Sequence, residues 1–132
     1  MRCRTLLHLA GAALLTAGAA CRSLLEPGKQ VMLGISDVQA PATFEPGTPF
    51  TVTLTVVTGG CRSFERFEAA RAPNWLALTA VGRDRSRPDV ACPTDIRSEP
   101  HDYTVRPPFA DSVVVVAQQP ELVEIRRVVR RR

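Results

Sequence analysis

Through the middle of the chain, hydrophobic and polar residues alternate with a period of two. In FTVTLTVVT (residues 50–58), Phe50, Val52, Leu54 and Val56 fall on one side, and Thr51, Thr53, Thr55 and Val57 fall on the other. Successive side chains of an extended chain point to opposite faces, so this spacing predicts a half-buried antiparallel strand, ended by Gly59 and Gly60. Upstream, VMLGISDV (31–38) predicts a first strand with Val31, Leu33 and Ile35 on one face, and the proline-rich APATFEPGTPF (40–50) predicts turns, with Gly47 at a turn position. CRSFERFEAARA (61–72) has two readings: Cys61, Phe64 and Phe67 fit one turn of helix, whereas Phe67 and Ala69 fit an inward-facing strand. Pro73 and Asn74 then turn the chain into WLALTAVGR (75–83), with Trp75, Ala77, Thr79 and Val81 on one face and Leu76, Leu78 and Ala80 on the other.

Further along, DRSRPDVACP (84–93) is a polar loop, and Tyr103 with Val105 suggests a short strand before Pro107 and Pro108. SVVVVA (112–117) is continuously apolar, the pattern of a strand buried on both faces in mid-sheet. LVEIRRVV (122–129) predicts a last strand with Val123 and Ile125 inward and a register that blurs at Arg127. About seven strands, with no internal repeat and no second domain, predict an all-β chain. The spacing of their turns suits a single antiparallel β-sandwich of immunoglobulin-like type over residues 31–132.

The first 20 residues read differently. Arg2 and Arg4 precede an apolar run from Leu6 to Ala17, the n-region and h-region of an export signal helix. The run is too short to cross a hydrocarbon core, which needs roughly 20 residues. Gly18, Ala19 and Ala20 then lead into Cys21, small residues that a signal peptidase accepts. Residues 1–21 resemble the lipobox region of bacterial lipoproteins, with Gly18 where that pattern usually places leucine. The resemblance implies a diacylated Cys21 and a membrane-anchored envelope protein; ordinary cleavage after Ala19 or Ala20 would instead leave a soluble periplasmic or secreted one. Residues 21–30, with Pro27 and Gly28, read as a short tether.

Composition supports strands and turns. Valine and threonine are abundant, there are 11 prolines, and the chain left after export is the size of one small domain. Without Arg2 and Arg4, 15 basic residues face 13 acidic ones. Five of the basic residues, Arg126, Arg127, Arg130, Arg131 and Arg132, crowd the C-terminal RRVVRRR, which reads as a frayed, solvated end or as a contact for anionic lipid or another polyanion. Nucleic acid is not an expected partner of an exported protein.

Setting aside Cys3 in the leader and Cys21 leaves Cys61 and Cys92. In an oxidising compartment two such cysteines most simply pair with each other. A metal site of Cys61, Cys92 and His101 lacks the close ligand pairs that zinc sites use, and no cofactor motif is present. Asp84, Asp89 and Asp95 miss the calcium-loop spacing and alternate with arginines, as a solvated surface does. Phe64, Phe67 and Trp75 read as core packing beside the disulfide, because a chain with seven aromatic residues needs them inside.

His101 is the one histidine outside the leader, and it reads as a solvated loop residue. Its neighbour Asp102 would point to the opposite face of a strand, and no nucleophile elbow accompanies the pair. Signal, size and strand pattern together resemble small bacterial envelope lipoproteins carrying an immunoglobulin-like β-sandwich. That resemblance implies location and fold class and transfers no active-site residue. The expectation is a non-enzymatic binding or structural protein, anchored to the membrane through lipid on Cys21 and meeting an envelope protein or a polyanion. The alternatives are a protease inhibitor presenting loop 84–90, with Arg85 and Arg87, and a small exported hydrolase using His101 with Asp102 or Ser98.

Overall fold

The computed structural model describes residues 28–121 and 123–132. The leader, Cys21 and the tether up to Pro27 lie outside the described residues. Within them the protein is all-β, with nine strands and no helix: β1 (Lys29–Met32), β2 (Ile35–Gln39), β3 (Thr43–Phe44), β4 (Phe50–Gly59), β5 (Arg62–Ala72), β6 (Trp75–Asp84), β7 (Ile96–Val105), β8 (Ser112–Gln118) and β9 (Ile125–Arg131).

The expected alternation of β4 is what the structure contains. Phe50, Val52, Leu54, Val56 and Thr58 are buried and the intervening residues are not. Each large apolar side chain removed from water in this way contributes about 1.5–3 kcal/mol. β4 lies between two antiparallel neighbours, β2 and β7. It meets β5, the next strand in sequence, at a single pair, Gly59↔Arg62.

Past that turn the chain joins a different run of pairings, β5–β6–β8–β9–β3. A second switch occurs between β1 and β2. The Leu33 amide donates to Ala80 O of β6 at 2.8 Å, and the carbonyl of the next residue, Gly34, accepts from Val57 N of β4 at 2.9 Å. The sequence predicts one strand over 31–38, whereas β1 pairs with β6 and β2 with β4. Leu33 and Ile35 nevertheless share the inward face, as the pattern requires.

The sheet is mixed rather than antiparallel, because β6 runs parallel to β8 and β3 parallel to β9. The two ambiguous readings of residues 61–72 resolve to strand. The strand expected at Tyr103 and Val105 begins at Ile96 and runs the length of β4. In β8, Val113, Val115 and Ala117 are buried while Val114 and Val116 are half-buried, so its second face is only partly covered.

The sheet curls around one core, to which β2, β4, β6, β8 and β9 contribute Val38, Leu54, Leu78, Val115 and Val129 among others. Two seams remain where facing strands share no ladder, and side chains close both. At one seam Phe64 of β5 stacks on His101 of β7 with ring centroids 4.0 Å apart, and Phe67 meets Tyr103 edge-on at 6.2 Å. At the other, the Gln119 amide stands in for a missing strand. Its Oε1 accepts from Ile35 N at 3.0 Å and its Nε2 donates to Ile35 O at 2.6 Å, while Arg127 Nε donates to Val38 O at 2.9 Å.

Candidate functional site

One end of the core is open. A groove of about 1080 Å³ lies between the Met32–Ile35 crossover, the end of β4 with its Gly59–Gly60 turn, residues 92–96 and the approach to β9. Leu33, Ile35 and Thr58, all buried, belong to its lining. Its rim carries three large apolar side chains in water: Met32 is 40% exposed, Ile96 79% and Val123 83%. Val123 was expected to face inward. It instead precedes β9, whose fully buried residue is Val129.

Cys61 and Cys92 form part of the wall, with their sulfurs at bonding distance and their Cα atoms 5.2 Å apart. The turn beside them depends on glycine. Gly59 adopts φ 131°, and a Cβ there would stand 2.1 Å from the Asp95 carbonyl oxygen. The Gly60 amide donates to that same oxygen at 3.1 Å, and the Arg85 amide donates to Cys61 O at 3.0 Å. These bonds hold the strand ends and the loop against each other.

Charges around the groove are largely paired. Arg62 Nε donates to Asp84 Oδ2 at 3.0 Å, and Arg97 Nε donates to Asp95 Oδ2 at 2.7 Å. Ser86 N also donates to Asp84 Oδ1 at 2.8 Å. The Ser86 hydrogen bonds, followed by the one from Arg62, bring the Asp84 carboxyl from 3.8 down to about 2. Further up β6, the hydrogen bond from Arg83 lowers the Glu65 carboxyl in the same sense. Asp84 and Asp95 are thus engaged by arginines, in line with the alternation of charges in this stretch. Among the described residues no group of three or more His, Cys, Asp or Glu converges as metal ligands do.

His101 is not in a loop. It sits on β7, 29% exposed, between Phe64 and Phe67, with Nε2 buried without a hydrogen-bond partner and Glu99 Oε2 3.8 Å away. Asp102, its neighbour, points to the opposite face and accepts from Thr53 Oγ1 at 2.7 Å. Ser98 has the same parity as Asp102 in the regular β4–β7 register. β7 thus separates His101 from both side chains with which a hydrolase would have to combine it, and none of the three lines the groove.

Phe64 and Phe67 pack against the core as expected, but Trp75 does not join them. It opens β6 at the end away from Asp84 and is 39% exposed. Leu76, Leu78 and Ala80 are buried on one face of that strand and Ala77 and Val81 on the other, and Trp75, its first residue, is left exposed at the strand end. Nor does the C-terminal RRVVRRR fray. It belongs to β9 as far as Arg131, and four of its five arginines have acidic partners: Arg126 with Glu124, Arg127 with Asp37, Arg131 with Asp111 and Arg132 with Glu45. Loop 84–90 is exposed beyond Asp84 and is pinned by the Arg85–Cys61 bond and an Arg87–Val90 bridge.

No local sequence pattern marks the groove, because its parts come from five separate segments. The available signal was weak: Ile96 is an isolated large apolar residue in polar surroundings, close to Cys92. Comparison with protein families, with curated proteins and with solved structures finds no match.

Proposed function

We propose that this is an exported protein of the cell envelope, anchored through lipid on Cys21, whose role is binding rather than catalysis and whose binding surface is the groove beside the disulfide. The observation that carries the reading is the groove itself. Side chains close both seams, whereas this end leaves buried apolar residues continuous with exposed ones. Mouths of curled sheets are common ligand sites. A disulfide agrees with an oxidising compartment, and the leader supplies the route to it.

We further read the fold as a β-sandwich related to the immunoglobulin type, with β2–β4–β7 as one layer and β5–β6–β8–β9–β3 as the other. Support comes from the single-pair junction of β4 with β5 and from the core filled from both groups. The parallel β6–β8 pair departs from the immunoglobulin pattern.

The intact mass of the protein isolated from its own host tests location and anchoring together. The expected mass is that of residues 21–132 plus diacylglycerol on Cys21, less two hydrogens for the Cys61–Cys92 bond. A mass ending at ordinary cleavage after Ala19 or Ala20, without lipid, refutes the anchor. Loop 84–90 favours a second reading as a protease inhibitor, since Arg85 and Arg87 stand exposed on a segment pinned at Cys61. Inhibition of an envelope protease that disappears on Arg85→Ala/Arg87→Ala substitution would establish it.

A further inference from the structure

We propose that the groove end is a membrane-docking face, with the lipid bilayer as its occupant, so that the domain sits down on the membrane instead of hanging from its tether. The inference rests on the reading of Cys21 as the anchor only for the direction in which the face points. Six large hydrophobic side chains are notably exposed among the described residues, and Met32, Ile96 and Val123 share the groove rim, while Val90 lies two residues from Cys92. Clustering of this kind on one end of a small domain marks an interaction surface.

The chain entering the described region arrives at the same end. Lys29 pairs with Asp84, which lines the groove, and the Gly28 carbonyl accepts from Arg83 Nη1. Gly28 lies seven positions after Cys21, an extended reach of at most about 25 Å. Acyl chains on Cys21 would therefore hold this end, and not the opposite one, near the headgroups.

The charge arrangement selects the kind of contact. Arg62 and Arg97 on the groove side are paired with Asp84 and Asp95, and the exposed Arg85 and Arg87 share this end with the exposed Asp89 and Glu121, so its net charge is small and attraction to anionic headgroups contributes little. Insertion of Ile96 and Val123 into the interfacial region, with burial of their apolar surface, supplies the affinity. Docking should then be indifferent to lipid charge and to salt, unlike polybasic binding, which weakens as ions screen it.

The test uses the mature chain, residues 21–132, with Cys21→Ser and its disulfide intact, in flotation with vesicles of phosphatidylcholine alone and with about one quarter phosphatidylglycerol. Expected is similar binding to both, little changed between about 0.1 M and about 0.5 M salt. Ile96→Asp/Val123→Asp should weaken it by roughly tenfold or more, and Ile96→Ala/Val123→Ala, at positions too exposed to affect folding, should weaken it in the same direction. Absence of binding to either vesicle, binding confined to the anionic vesicle and lost in salt, or binding unchanged in both variants overturns the proposal. Vesicle binding without lipid on the native Cys21 would leave docking standing and remove the anchor. A lipid-bearing native protein whose Cys21→Ser form ignores vesicles would do the reverse.

Discussion

Replacing Cys61 and Cys92 with serine removes a crosslink between residues 31 positions apart. In the chain-entropy description, opening a loop of that size frees the unfolded ensemble by about 3.7 kcal/mol at 25 °C. A domain of this size has a net stability of about 5–15 kcal/mol, so the variant should remain folded but lose a large part of its margin. The expected fall in melting temperature is of the order of 15 °C or more. Urea titration followed by far-ultraviolet circular dichroism measures the change, and the slope m should rise because the uncrosslinked chain exposes more surface when unfolded. Both single substitutions break the same bond. Cys61→Ser, Cys92→Ser, the double variant and the reduced wild type should therefore agree within a few tenths of a kcal/mol, a strong departure from additivity. A loss below about 1 kcal/mol, or single substitutions whose effects add, would refute the reasoning.

Gln119→Ala removes both hydrogen bonds that complete the Ile35 backbone, and leaving that amide and carbonyl unpaired should cost about 1–3 kcal/mol in the same urea titration. Gly59→Ala places a Cβ against Asp95 O at a backbone angle that side chains rarely adopt, so it should destabilise by about 2 kcal/mol or more and be detected as a lowered melting temperature. Asp84 has its folded-state pKa lowered from 3.8 to about 2, so its contribution is present at neutral pH and disappears as pH falls through that interval. Asp84→Asn should flatten the acid limb of a stability-versus-pH curve there, with a residual slope in the same direction from Glu65, which Arg83 holds below its ordinary value.

Local alternation carried much of the fold. The inward face of β4 and the buried pair Leu33 and Ile35 follow from parity alone, whereas the continuously apolar β8 read as buried on both faces and has one face only half-covered. Parity does not say which strand lies beside which. Nothing in the run 31–38 distinguishes one strand from two that exchange partners at Leu33–Gly34, because the inward positions stay in step through the crossover. Hydrophobicity also misassigned Trp75 and Val123, large apolar residues that the structure leaves in water, and charge density suggested a frayed end where four of the five arginines pair with Glu124 just before β9 and with Asp37, Asp111 and Glu45 from other segments.

The same physics explains why the candidate site escaped a linear reading. Ordinary core formation should hide Met32, Ile96 and Val123, yet each belongs to the end of a strand or a connection, where the curled sheet has no neighbour left to cover it. The two seams show the alternative that was open to the chain: aromatic rings at β5 and β7, and an amide and a guanidinium at β2, close gaps where backbone ladders stop. At the groove, the glycine turn, the disulfide and paired charges instead fix the rim in place while leaving its apolar side chains outward. A surface that is rigid, electrostatically neutral and apolar is costly to leave in water, and that cost is the physical argument that something apolar covers it.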